Sequence, residues 1–270
     1  MMYESQAGRV HVELDGPEGA PAVAFTHGGG LTGAMFDAQV AELASQYRTL
    51  TWDLPGHGRS EPLERKLDVP LVADGLVDVM DQVGLDEAVH VGQSLGSYVV
   101  QHAAIRHPDR VRAIASVGGL PVAEPMGRLE LLAFRALTAL SALLPERLIF
   151  ARAASEKTVT DEAQQFFLES LEAMGKQQFL RMLGGQLDAC AIQVDHPPAQ
   201  PLLITHGEHE MPASLGAGNL AWHRAVPGSR YVEVPDAGHN ANMDNPVAFN
   251  ETLVAFVRDV FERSEHESAA

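Results

Sequence analysis

The chain of 270 residues contains a single cysteine, Cys190. No internal disulfide can form, so the fold is expected to hold without oxidation. Nothing around Cys190 suggests an activated thiol, and it is expected to be a small packed residue. Basic residues are also scarce. Nineteen Lys and Arg stand against 36 Asp and Glu, a formal net charge of −17. That balance argues against nucleic acid or an anionic membrane surface as a partner. No apolar run is long enough to span a bilayer. The most apolar stretch, 129–144, is interrupted by Glu130, Arg135 and Ser141, so no membrane association is expected. The first residues carry Glu4, Arg9, Glu13, Asp15 and Glu18, which is no secretory leader, and a cytoplasmic location is expected. No pair of histidines has H-E-x-x-H or comparable spacing, so no metal is expected. No G-x-G-x-x-G follows a strand, so no dinucleotide and no other cofactor is indicated.

What is present is a core. Apolar residues make up 46% of the chain, too many for a disordered polypeptide. Short apolar runs read as strands at 10–14, 22–26, 49–52, 88–91, 111–117, 201–205 and 230–234. Helical spacing of apolar residues covers 35–47, 69–83, 98–105 and 246–261. Strands alternating with helices argue for an α/β fold with a mostly parallel, doubly wound sheet. The stretch 121–198 breaks the alternation and reads as helix after helix: 126–144, 146–154, 161–173 and 177–187. It is expected to be a helical insertion over the C-terminal edge of the sheet, where open α/β sheets bind ligands. The expected division is a core of 1–120 and 199–270 with an insertion of 121–198.

Gly92-Gln93-Ser94-Leu95-Gly96 lies between the 88–91 strand and the 98–105 helix. A serine on that sharp turn projects its hydroxyl from the sheet edge, and the glycines allow strand and helix to approach. A serine hydroxyl is a weak nucleophile and needs a base, which a third group must orient. The loops after two later strands supply both types: Gly207-Glu208-His209-Glu210-Met211-Pro212 and Ala237-Gly238-His239-Asn240. Ser94, Glu210 and His239 each follow a predicted strand, so the three can converge on one edge of the sheet.

These motifs resemble those of the α/β-hydrolase fold, and the chain is similar to its capped serine-esterase group. The resemblance rests on His27-Gly28-Gly29, the loop 53–60 (DLPGHGRS), the elbow at 92–96, the stretch 207–210 and Gly238-His239 before a final helix. It covers nearly the whole chain outside the insertion, which would be the cap.

The resemblance implies Ser94 as nucleophile, His239 as base and Glu210 as acid, a place more often held by Asp. Glu208 and Glu124 remain rivals for the acid. It implies an oxyanion hole from the backbone N–H groups of Gly29 and Leu95. His27 is expected to brace that loop, His57 to be structural and His209 to be a loop residue. Gly28, Gly30, Leu137 and Met211 are expected to line an apolar substrate pocket, with other apolar residues of the insertion. Ser97 departs from the glycine frequent there. Asn240 departs from the tryptophan of relatives that cleave carbon–carbon bonds. The implied activity is hydrolysis of a small ester or lactone through an acyl-enzyme, with an acid limb near the ordinary histidine pKa, between about 6 and 7. Amide or carbon–carbon hydrolysis by the same triad stays open, as does a hydrolase-fold receptor with little turnover. The oligomeric state is not legible.

Overall fold

In the computed structural model, which describes residues 1–268, the elements run β1 (Met2–Ser5), β2 (Gly8–Asp15), β3 (Ala22–Thr26), α1 (Asp37–Leu43), β4 (Arg48–Trp52), α2 (Val69–Gln82), β5 (Ala88–Gln93), α3 (Leu95–Arg106) and β6 (Val111–Val117). Then come α4 (Arg128–Ser141), α5 (Glu146–Lys157), α6 (Asp161–Ala189), β7 (Leu202–Gly207), α7 (Ala213–Ala225), β8 (Arg230–Val234), α8 (Ala241–Asp244) and α9 (Pro246–Ser268). The strands form one eight-stranded sheet in the order β1-β2-β4-β3-β5-β6-β7-β8. The β1/β2 and β2/β4 pairs are antiparallel, and every pair from β4 to β8 is parallel.

Helices on both faces bury the central strands completely. That is why β3, β5 and β7 read as unbroken buried runs rather than alternating ones. Helix α2 shows how the covering elements are specified. Asp68 accepts a hydrogen bond from the Leu71 N–H at 3.2 Å, Pro70 opens the first turn, and Val72, Leu76, Val79 and Met80 are buried together.

Helices α4, α5 and α6 all lie between β6 and β7, as the run of helical pattern predicts. The ends of this stretch meet: the Met126 N–H donates to the Cys190 carbonyl at 2.8 Å. Two helices read at 161–173 and 177–187 are one element broken at Gly175, whose φ of 74° and ψ of 156° leave the helical region. Glycine tolerates that dihedral pair without the Cβ penalty. Strand β1 and helices α7 and α8 carry too little periodicity to be read beforehand. The helix expected over 35–47 is shorter, because Gly33–Phe36 forms a 3-10 turn first. That turn lets the Gly33 N–H reach Asp53 Oδ1 at 2.8 Å.

Candidate active site

Ser94 sits on the turn between β5 and α3 with φ 49° and ψ −110°, one of two non-glycine residues with positive φ among those described. Such dihedrals are costly for an L-residue and persist only where the surroundings enforce them. Here the enforcement is visible. The Ser94 N–H donates to the Val117 carbonyl of β6 at 2.8 Å. Gly96 packs so closely on β3 that a Cβ would strike the Thr26 carbonyl. Leu95 is fully buried and opens α3, so its N–H has no acceptor within the helix.

His239 and Glu210 are delivered by the loops after β8 and β7. Those loops touch at Gly207, where a Cβ would meet the Ala237 and Gly238 carbonyls. His239 Nδ1 lies 2.8 Å from Glu210 Oε1, with both side chains buried. A carboxylate accepts, so Nδ1 carries the proton and Nε2 is left as an acceptor. The imidazole lies against Gly118, where a built Cβ would fall 2.9 Å from Nδ1. Gly118 follows Val117, whose carbonyl holds the Ser94 N–H, so the Ser94 backbone and the His239 ring both lie at the end of β6. Gln93 adds a second tie. Its Nε2 donates to the His239 carbonyl at 3.1 Å and to Asn240 Oδ1 at 3.0 Å. Among the rivals, Glu124 is exposed, and the exposed Glu208 accepts from the Asp236 N–H at 3.1 Å instead.

Burial lowers the His239 pKa below 6.5, and the Lys157 ammonium lowers it further. The Glu210 charge and hydrogen bond oppose both. The resting imidazole is therefore neutral over a wider range than an exposed histidine would be.

Sequence reasoning missed the residues that hold the histidine loop. Asp244 Oδ2 accepts from the Gly238 N–H at 2.9 Å, while its Oδ1 accepts from the N–H groups of Val159 and Thr160 and from Thr160 Oγ1, each at 3.0 Å. The Asn240 N–H donates to the Lys157 carbonyl at 3.1 Å. Both neighbours of His239 are thus fastened to the α5–α6 connection. Lys157 Nζ donates to the Met211 carbonyl at 3.0 Å, next to Glu210. The signal available beforehand was an aspartate two residues before a proline, which reads only as a helix boundary.

The Gly28–Gly30 loop follows β3. His27 Nδ1 donates to the Gly28 carbonyl at 2.7 Å, and Nε2 accepts from the Leu54 N–H at 2.8 Å. Burial keeps that ring neutral. His57 lies 4.9 Å from it, centroid to centroid, and is pushed down to about 3, chiefly by burial. Helix α6 covers the loop. A Cβ at Gly29 would meet Met182 Sδ at 2.8 Å and Gln186 Oε1 at 3.5 Å, and one at Gly30 would meet Leu171 Cδ2 at 2.6 Å. Met211 is exposed beside Glu210. Leu137 is exposed on α4, a helix that packs on α6. Ser97 uses the hydroxyl a glycine lacks: it pairs with Ser116 Oγ at 2.7 Å and accepts from Gln101 Nε2 at 3.1 Å.

Glu208, His209 and Asp236 bring ligand-type atoms within 4.8 Å of one another, all exposed. Among the described residues, no helix is long and apolar enough to cross a membrane.

A family model described as alpha/beta hydrolase fold matches residues 21–246. A 3-oxoadipate enol-lactonase from Acinetobacter baylyi is 32% identical over 114 residues, 42% of either chain. A carboxylesterase from Bacillus subtilis is 26% identical over 93% of this chain and 84% of its own. Among solved structures, a thermophilic esterase from Thermogutta terrifontis superposes with a TM-score of 0.81 at 20% identity, covering 96% of this chain and 98% of its own, a likeness of fold.

Proposed function

The chain belongs to the α/β-hydrolase fold family, and from that premise we propose that it is a serine hydrolase cleaving a carboxylic ester or lactone through an acyl-enzyme. The carrying observation is the buried 2.8 Å pair of His239 Nδ1 and Glu210 Oε1, set against the strained elbow of Ser94. Relatives named as carboxylesterase and enol-lactonase support the same substrate class.

In this reading Ser94 Oγ attacks the acyl carbon while His239 Nε2 takes its proton. Glu210 holds the imidazole in the Nδ1–H form and stabilises the imidazolium that develops. The N–H groups of Leu95 and Gly29 receive the negative charge of the tetrahedral oxygen, and each such donor is worth about 10²–10³ in rate. The intermediate collapses, the ester C–O bond breaks, and His239 returns the proton to the departing alkoxide. Water deprotonated by His239 then attacks the acyl-Ser94 carbonyl, releases the acid and restores the serine. No step calls for a metal or cofactor.

Residues 121–198 are the cap in this account. Its helix α6 places Met182, Leu171 and Phe167 over the glycine loop, so the surface offered to the acyl group is apolar and small ligands are favoured. The test is hydrolysis of short-chain p-nitrophenyl esters and simple lactones. Wild type should turn over, and Ser94→Ala should lose about 10³-fold or more. Negligible wild-type turnover across esters and lactones contradicts the proposal.

A further inference from the structure

Helix α4 is amphipathic in the wrong sense for a monomer. At 3.6 residues per turn, Leu129, Leu132, Leu137 and Leu140 share one arc with Ala133 and Ala136, and Leu143 and Leu144 extend it into the following turn. That arc faces outward. The exposure of these six leucines runs from 48% at Leu144 to 85% at Leu129, and no residue of α4 is buried. The opposite side, with Leu131 and Thr138 half-buried, packs on α6. There Arg135 pairs with Asp188 at 2.8 Å. A surface helix normally turns its apolar stripe inward. Helix α4 docks by its weaker face and leaves the stronger one bare.

We propose that this face is the contact through which two copies of the chain pair, α4 against α4 about a twofold axis. Three observations favour a second copy as the occupant. The first is area. The six leucines, each 48–85% exposed, lie on one face, whereas a monomer usually leaves no apolar patch beyond about 300–600 Å² and a standard interface takes about 800 Å² from each partner. The second is shape. Alanines between the leucines let two antiparallel helices approach while leucines of one enter gaps of the other, and a twofold contact needs only this one self-complementary patch.

The third observation is charge. Residues 128–157 hold five Lys or Arg and three Glu, a local balance of +2 within a chain of −17. Pairing through this segment keeps the acidic bulk of two mutually repelling molecules away from the contact. A lipid surface fits less well. The arc carries no Trp or Tyr, and the acidic remainder is repelled by anionic headgroups. Collapse onto the proposed catalytic site is blocked, because Met182 and Gln186 of α6 already occupy the side facing Gly29.

Pairing would hold the outermost layer of the insertion in place without touching Ser94. The proposal stands independently of the reaction assigned above, and its test reads mass rather than turnover. Sedimentation equilibrium of the full chain should give twice 29.0 kDa. The variant carrying Leu132→Glu and Leu140→Glu should be monomeric, with a dissociation constant raised about 100-fold or more, because each interface would bury unpaired carboxylates. Both positions are exposed, so its far-ultraviolet circular dichroism and melting temperature should match those of the wild-type monomer. Val247→Glu, at a residue 70% exposed on α9, should leave the dimer intact. A wild type that stays monomeric up to about 50 μM overturns the proposal. So does a dimer unaffected by the double substitution, or a monomer that co-sediments with phosphatidylcholine vesicles through α4.

Discussion

The carboxylate of Asp244 bridges the Gly238 N–H, immediately before His239, and the Thr160 N–H at the start of α6. One buried side chain therefore ties the loop of the proposed base to the α5–α6 connection. Four hydrogen bonds converge on its two oxygens. Each is charge-assisted, which makes it stronger than a neutral pair.

Asp244→Asn replaces one accepting oxygen by an N–H₂ group that must face donors. The expected cost is about 2–3 kcal/mol, a drop in melting temperature of roughly 5 °C or more for a domain of this size. Turnover should fall by about tenfold or more with KM less affected, because the base and not the substrate loses its support. Scanning calorimetry and steady-state kinetics check the two effects. Unchanged kcat would remove Asp244 from the account.

Lys157 places a positive charge near His239 and lowers its pKa. Lys157→Met removes the charge but keeps the backbone carbonyl that holds Asn240. The imidazole then protonates more readily. The acid limb of kcat/KM should move to higher pH, while Lys157→Arg should keep it near the wild-type position. The pH profiles of the three proteins decide the matter, and coincident acid limbs would exclude the electrostatic role.

Buried histidines predict the pH dependence of stability. His57 titrates at about 3, and His90 and His102 at about 4, against 6.5 in the unfolded chain, with burial the leading cause in each. For a base whose folded pKa is lowered, the unfolded state binds protons first. Stability is complete above about pH 6.5 and falls as pH drops toward 4, by about 1.4 kcal/mol per pH unit for each such group. Melting temperatures between pH 7.5 and 4.5 should fall steeply. His102→Leu should flatten the slope by one proton, and an unchanged slope would contradict the assignment.

Backbone strain at Ser94 predicts a contrast between two inactive variants. Glycine accepts φ 49°, ψ −110° readily, whereas alanine keeps the Cβ penalty. Ser94→Gly should melt above Ser94→Ala by a few degrees, corresponding to about 1 kcal/mol. Equal melting temperatures would mean that the elbow stores no strain.

Much of the scaffold was legible in the sequence. Runs such as 22–26 and 111–117 coincide with β3 and β6, because strands buried on both faces need continuous apolar residues, while the edge strand β8 at 230–234 was legible from its apolar Tyr231, Val232 and Val234 despite being only partly buried. The elbow and the two loops behind β7 and β8 were legible because each pairs a chemical residue with a strand end. The insertion was legible as helices but not as a surface. Periodicity reveals that α4 has an apolar side without saying where it points. Leu137 was accordingly expected in the pocket, and it lies exposed on the outer helix. Asp244 and Lys157 were invisible for another reason. Their partners are backbone groups some 80 and 50 residues away in sequence, and side chain-to-backbone bonds leave no pattern in side-chain order. The depth of His239 was equally hidden, and it is that burial which lowers the pKa of the ring from 6.5.

In the proposed reaction Ser94 becomes acylated under the control of His239. Reaction with a fluorophosphonate, followed by mass analysis of the digested protein, tests it directly. A single adduct is expected on the peptide containing Ser94, absent in Ser94→Ala and slowed by about 10³-fold or more in His239→Ala. An adduct on another residue, or ester hydrolysis by Ser94→Ala at the wild-type rate, would contradict it.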